Sequence, residues 1–261
     1  MSPDKKLPSP PGAYQPPDDL LKSRTILVTG AAGGLGHATA LTCARLGATI
    51  ILLGRAIPPL ETLYDEIIAV GPEPAIYPMD LAGAKWSDYG SLAVTLAENF
   101  GTLDGIVHTA AHFKAFAPLS QLPPAEWMES LQVNLTASYA LTNQCLPLLE
   151  KSADASVVFI ADSATESPRA YSGAYGLAKY AQGGLARTWA EELQFKPQLR
   201  FNCYDPGPMR SALRRRGYPN EDKNTLPEPQ TAVAPLLWLL GPDSHGYSGQ
   251  TLRNPAPWPA G

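Results

Sequence analysis

Seven short apolar runs alternate with longer segments of helical periodicity, and this alternation limits the possible folds more than any other feature of the sequence. The runs are Thr25 to Thr29, Thr49 to Leu53, Ala75 to Pro78, Leu103 to His108, Ser156 to Ala161, Leu199 to Cys203 and a short one near Thr251. They are mostly apolar throughout, as expected of strands covered on both faces. Helices are expected over Leu35 to Leu46, Pro59 to Val70, Trp86 to Asn99, Pro124 to Lys151, Gly173 to Gln194 and Thr231 to Leu240. Right-handed crossovers then wind one α/β sheet, doubly wound, with helices on both faces. No period of roughly 20 to 50 residues repeats, which excludes a solenoid.

The ends differ from the middle. Residues 1–23 carry six prolines, cannot form a helix and have little to bury, so they are expected to form an arm packed only near Leu20 and Leu21. A single Rossmann-type domain is expected over residues 24–253, and NPAPWPAG, residues 254–261, forms a proline-rich tail. A hydrophobic content of 44% suffices for the core. Lys and Arg total 20 against 24 Asp and Glu, a net charge of −4, which argues against nucleic acid as a partner. No secretory leader and no run of about 18 apolar residues is present, so no membrane partner and a cytoplasmic location are expected. Cys43, Cys145 and Cys203 are far apart, with no CxxC spacing, and suggest neither a disulfide nor a metal site.

Directly after the first strand comes Thr29-Gly30-Ala31-Ala32-Gly33-Gly34-Leu35-Gly36, and a helix follows. A chain that turns sharply, brings bare backbone against a pyrophosphate and packs a helix on a strand needs residues without Cβ there. Gly30, Gly34 and Gly36 meet that need, with Gly33 and Leu35 between them. Glycines serving packing alone are the plainer alternative, but the first strand-to-helix junction is where a helix N-terminus offers free N–H groups to an anion. The second strand ends Leu52-Leu53-Gly54-Arg55. NAD binding normally places a carboxylate here for the ribose 2′-hydroxyl. Gly54 removes its repulsion and Arg55 can pair with a 2′-phosphate, so NADP(H) is preferred, with NAD(H) still possible; a solvated surface cation is the alternative for Arg55. Asp80, with Leu81 after it, either accepts from the adenine amino group or caps a helix.

In Tyr175-Gly176-Leu177-Ala178-Lys179 the phenol and the ammonium lie four apart on one helix face. Bringing a tyrosine from about 10 to about 7 costs roughly 4 kcal/mol, and an ammonium about 4 Å away at an effective dielectric of about 20 supplies roughly that. The phenol could then donate or accept a proton near neutrality.

Together, Thr29-Gly-x-x-x-Gly-x-Gly36 and Tyr175-x-x-x-Lys179 resemble the short-chain dehydrogenase/reductase family, over nearly everything between Arg24 and Arg253. ILLGR, LLEKSADASVVF, GAYGLAKYA and LLWLLG resemble its bacterial YciK-like branch. The resemblance implies a seven-stranded sheet and a nicotinamide cofactor, with hydride passing to or from a carbonyl or alcohol substrate. Tyr175 would be the general acid or base, and Lys179 would lower its pKa and contact the nicotinamide ribose. Asn134 would hold a water in the proton relay, satisfy backbone in a kinked helix, or do both. Pro206, Gly207, Met209 and Ser211 match the loop holding the carboxamide, Ala110 is implied as a cofactor contact, and Ala111 adds a methyl where the backbone approaches the adenosine. A homodimer or homotetramer is implied, through the helices Pro124 to Lys151 and Gly173 to Gln194.

The pattern is broken where the family has its serine, thirteen residues before the tyrosine: that position is Asp162, and Ser163 is one residue late. An ionised Asp162 as close to Tyr175 as Lys179 would cancel the effect of the ammonium. Three outcomes follow. The strand end slips so that Ser163 enters the site and Asp162 turns out; a neutral Asp162 donates in the serine's stead; or reductase chemistry is weakened, leaving a dinucleotide-binding sensor or impaired subunit. The first is ranked ahead because loops after strands absorb one residue of slippage. His108-Thr109-Ala110-Ala111 replaces an Asn-Ala-Gly run. Thr109 takes the place of an amide that ties strands together, and His108 is expected to be a satisfied strand histidine. His112 is the better candidate for the substrate side. Arg214, Arg215 and Arg216 are expected to be solvated surface, with contact to an acidic substrate as the alternative. His112 to Leu122 and Ala164 to Ser172 would line the pocket.

Overall fold

A computed structural model describes residues 14–162 and 169–254. Seven strands, β1 (Thr25–Thr29), β2 (Thr49–Gly54), β3 (Ala75–Pro78), β4 (Gly105–His108), β5 (Ala155–Ile160), β6 (Leu199–Asp205) and β7 (Thr251–Arg253), form one sheet in the order β3-β2-β1-β4-β5-β6-β7. Every neighbouring pair is parallel. The order reverses between β1 and β4, which opens a crevice at the carboxyl ends of the strands.

The apolar strands have two buried faces. Ile26, Val28, Ile50 and Leu52 point into one core with α1 (Gly34–Arg45), α2 (Ile57–Ile68) and α8 (Val233–Leu240). Leu27, Ile51, Leu53 and Ile106 point into the other, with α3 (Trp86–Phe100), α5 (Ala137–Leu149) and α6 (Gly173–Glu192). Alternating side chains of continuous apolar strands thus fill both layers. Leu21 is fully buried and its N–H bonds the Leu46 carbonyl at 3.0 Å. Tyr14 also ties back, donating to Asp243 at 2.8 Å. Among the described residues, no helix is long and apolar enough to cross a membrane.

Some boundaries shift. β4 starts at Gly105, because the Leu103 N–H is drawn off to the Leu148 carbonyl. The expected helix Pro124 to Lys151 is α4 (Pro124–Leu131), a π-helical turn (Gln132–Thr136) and α5. The short α7 (Ala212–Gly217), which the sequence pattern did not announce, follows β6.

At the amino ends of the strands, opposite the crevice, Asp154 joins two guanidinium groups and an imidazole. Arg24 Nη1 donates to its Oδ2 at 2.9 Å, Arg200 donates to its Oδ1, and His245 Nε2 lies 3.0 Å from Oδ1. Arg200 is 1% exposed and also donates to the Gly241 carbonyl at 3.1 Å. Burial alone would raise the Asp154 pKa, but the Arg200 hydrogen bond and the surrounding charges outweigh it and hold it below the usual range.

Candidate active site

The glycine-rich turn connects β1 to α1. Gly30 has φ +62°, and a Cβ there would sit 2.8 Å from Ala110 Cα; one at Gly36 would sit 2.4 Å from the Gly30 oxygen. Both glycines are therefore required for the turn to close on β4. Gly34 is different: its absent Cβ faces Pro229 Cγ at 3.2 Å and the Arg210 oxygen at 3.6 Å, across the space between α1 and the loop after β6. The amides of Gly34, Leu35 and Gly36 precede the first bond of α1, His37 N–H to the Gly33 carbonyl at 2.7 Å. No side chain caps this end and no acid occupies its first turn. A bare cradle with outward N–H groups fits a pyrophosphate. Arg55, just after β2, is exposed, and Asp80 turns back to accept from its own Ala82 N–H at 3.2 Å. Leu81 and Met209 are buried, in separate clusters, Met209 with Leu35. Gly207 has φ +84° and donates to Asp205 Oδ1 at 3.1 Å, and Pro206 accepts from Asn254. Ser211 caps α7, accepting from Arg214 N at 3.0 Å.

Thr109 does the work of the missing amide: its hydroxyl donates to the Thr29 carbonyl, and the Ala110 N–H donates to Thr29 Oγ1 at 3.2 Å. His108 is buried, hydrogen-bonded to Thr142 at 2.9 Å and stacked on Phe159. Burial, with the Lys179 charge adding to it, pushes its pKa down to about 3, so it is a neutral core residue.

The outcome ranked first for the strand end does not hold for Asp162. The Ala161 N–H still bonds the Tyr204 carbonyl at 2.7 Å, so the β5–β6 ladder keeps its register and carries Asp162 inward. There Tyr175 Oη donates to Asp162 Oδ2 at 2.6 Å. Ser163 lies outside the described residues. The expectation that Lys179 brings the phenol toward neutrality is also overturned. Lys179 is buried and donates to the Ile160 carbonyl at 2.5 Å and to Gln182 Oε1 at 3.1 Å, with Nζ 5.8 Å from the Tyr175 ring centre. Burial, then the Asp162 charge and hydrogen bond, then Asp205, push the Tyr175 pKa well above its usual value. The phenol therefore keeps its proton at neutral pH.

The π-helical turn buries Asn134 and turns its amide onto the β4 loop. Oδ1 accepts from the His112 N–H at 2.9 Å, and Nδ2 donates to the His112 carbonyl at 2.7 Å and the Ser130 carbonyl at 2.9 Å. The amide thus satisfies backbone in the kinked helix. The His112 ring instead meets Glu126 at 2.9 Å and Glu129 at 3.3 Å on α4.

An aromatic wall, which the sequence analysis passed over, runs outward from the phenol. Phe113 meets Tyr175 edge-on at 5.2 Å, Phe116 meets Phe113 at 5.0 Å, and Tyr218 meets Phe116 at 5.5 Å. The arginines beside it are engaged: Arg214 grips Glu221 bidentately at 2.7 Å and lies over the Tyr218 ring at 3.7 Å, while Arg216 donates to the Phe113 carbonyl. Arg215 is exposed. Asp205 was also passed over; its place immediately before Pro206-Gly207 was the available signal.

A family model described as short chain dehydrogenase matches residues 24–222. The oxidoreductase YciK of Escherichia coli is 40% identical over 239 residues, 91% of this chain and 94% of that protein. Its solved structure superposes with a TM-score of 0.90 at 39% identity, over 94% of this chain and 99% of that one. A short chain dehydrogenase from E. coli CFT073, solved in complex with NADPH, superposes with a TM-score of 0.89 at 39% identity, over 93% and 100%.

Proposed function

The chain belongs to the short-chain dehydrogenase/reductase family, alongside YciK, and from that premise we propose an NADP(H)-dependent oxidoreductase acting at a carbonyl or alcohol carbon. The observation that carries the reading is the Tyr175–Lys179 face of α6, set with the phenol at the carboxyl end of β5. The glycine cradle and the free α1 amides suit a pyrophosphate, and Arg55 suits a 2′-phosphate; the NADPH complex of a relative at 39% identity supports that cofactor choice. Pro206, Gly207, Met209 and Ser211 would flank the nicotinamide end. When bound, the cofactor supplies or takes the hydride.

The chain's own residues manage the proton. Tyr175 holds it on Oη, and Asp162 keeps it there by accepting the hydrogen bond. Lys179 anchors the strand end through Ile160. Asn134 fixes the loop that carries Phe113 against the phenol. A high-pKa phenol suits the role of donor in reduction more than of base in oxidation.

Asp162 also favours a second reading, a dinucleotide-binding sensor with impaired turnover. Thermal shift with NADPH and NADH, followed by cofactor oxidation against small carbonyl compounds, separates the two. The proposal expects a larger shift with NADPH and turnover lost in Tyr175→Phe; a shift without turnover on any compound favours the sensor. We further propose a single domain over residues 24–253 and a cytoplasmic homodimer or homotetramer, supported by exposed Tyr139, Leu177 and Tyr180 on α5 and α6. Light scattering in solution reads the assembly.

A further inference from the structure

Gln182 lies one turn beyond Lys179 on α6, so the two side chains share a helix face. It is 1% exposed, and a buried primary amide is costly unless both its ends are bonded. Here both are: Oε1 accepts from Lys179 Nζ at 3.1 Å, and Nε2 donates to Ser138 Oγ at 3.1 Å. An ammonium only donates, so the amide atom facing it is the oxygen, and the Ser138 hydroxyl accepts at the other end. Ser138 is itself buried on α5, one turn after Asn134. The direction of the amide is thus set by a second helix. An apolar side chain of the same length would pack without the polar cost, so packing does not account for the glutamine.

Lys179 is buried as well, and burial lowers its pKa. Two carboxylates act on it, Asp162 at the end of β5 and Asp205 on β6. Its other titratable neighbours are Cys203 on β6, His108 on β4 and Tyr175 on its own helix. The ammonium has three N–H donors. The Ile160 carbonyl from β5 and Gln182 from α6 hold two of them, which fixes where the third points.

Resting on the oxidoreductase reading above and deepening it, we propose that Gln182, aimed by Ser138, is a positioning residue for Lys179. It is the second of two acceptors that hold the ammonium at the strand end, so that the remaining N–H is presented to the coenzyme ribose. Gln182 acts through Lys179 and touches neither substrate nor coenzyme. Two acceptor oxygens also favour the charged form of the amine over the neutral one, which opposes the effect of burial.

The test reads Lys179 directly. The full chain is labelled with carbon-13 at lysine Cε, the Lys179 resonance is identified by its loss in Lys179→Met, and its titration is followed by NMR without coenzyme. NADPH affinity is measured separately by fluorescence. In Gln182→Leu, which keeps the bulk and removes the acceptor, Lys179 should titrate at lower pH than in the wild type, and NADPH should bind about fivefold or more weakly. Gln182→Glu keeps an acceptor oxygen toward the amine and can take a hydrogen from the Ser138 hydroxyl, so it should restore NADPH affinity and titrate no lower than the wild type. Ser138→Ala unties the amide without touching Lys179 and should move both readouts in the direction of Gln182→Leu. An unmoved Lys179 titration or an unchanged NADPH affinity in Gln182→Leu overturns the proposal, as does Gln182→Glu behaving like Gln182→Leu. Thermal unfolding checks that the variants are folded; should Gln182→Leu fail there, the same two outcomes in Ser138→Ala decide. Failure of the wild type to bind NADPH would instead strike the cofactor reading, and the coenzyme-free titration would then judge the hold on Lys179 by itself.

Discussion

The side-chain amide of Asn134 clamps both polar groups of the His112 backbone, accepting from its N–H at 2.9 Å and donating to its carbonyl at 2.7 Å. The loop that carries Phe113 onto Tyr175 is therefore fixed by one residue of the π-helical turn. Asn134→Ala should leave the His112 groups and the Ser130 carbonyl short of a partner, costing about 1–3 kcal/mol. Urea unfolding measures the loss, and turnover should fall further than stability alone explains.

The Asp162–Tyr175 pair predicts the pH behaviour of turnover. Asp162 raises the phenol's pKa, so its removal lowers it. In the wild type, reduction should hold its rate on the alkaline side until the enzyme itself fails. In Asp162→Asn the alkaline limb should move to lower pH, accompanied by an earlier tyrosinate absorbance in the ultraviolet difference titration. An unmoved limb would separate the two residues in function.

The glycines of the turn should divide cleanly. Gly36→Ala forces a Cβ to 2.4 Å from the Gly30 oxygen, a backbone atom that cannot yield, and should destabilise by about 1–3 kcal/mol or more. Gly34→Ala crowds the Pro229 ring at 3.2 Å and otherwise makes ordinary contacts, so it should fold, yet lose tenfold or more in NADPH affinity by fluorescence titration.

Arg55→Ala should weaken NADPH by about tenfold or more, the worth of one charged hydrogen bond, and leave NADH unchanged. Equal losses for both would remove the 2′-phosphate assignment.

Removing Asp154 strands buried Arg200, so Asp154→Ala should cost about 3–5 kcal/mol. Because the folded-state pKa of Asp154 is depressed, its contribution is complete above the unfolded value of 3.8 and is lost as pH falls through the lower, folded one. Acid unfolding of the wild type should be steep below that value, and the variant's curve should be flatter there.

The strands were legible because they are buried on both faces and so read as unbroken apolar runs. Tyr175 and Lys179 were legible from their spacing on one helix. What failed was local geometry. Whether Asp162 or Ser163 faces the phenol depends on whether β5 keeps its pairing to β6 past Ile160, which is a property of two strands and not of either sequence. Lys179 was expected to act on the phenol, but the nearby Ile160 carbonyl and Gln182 take its donors. The aromatic wall assembles from residues 113, 116, 175 and 218, too far apart in sequence for any window to join.

The Asp154 network and the phenol stand at opposite rims of one sheet, separated by the length of its strands and flanked on both faces by a hydrophobic layer. Robustness and reactivity are thereby assigned to separate addresses in the molecule. Substitutions at the upper rim can retune what the site accepts while the lower rim goes on holding the strands in alignment, which gives a laboratory evolving new substrate preferences a scaffold that tolerates the attempt.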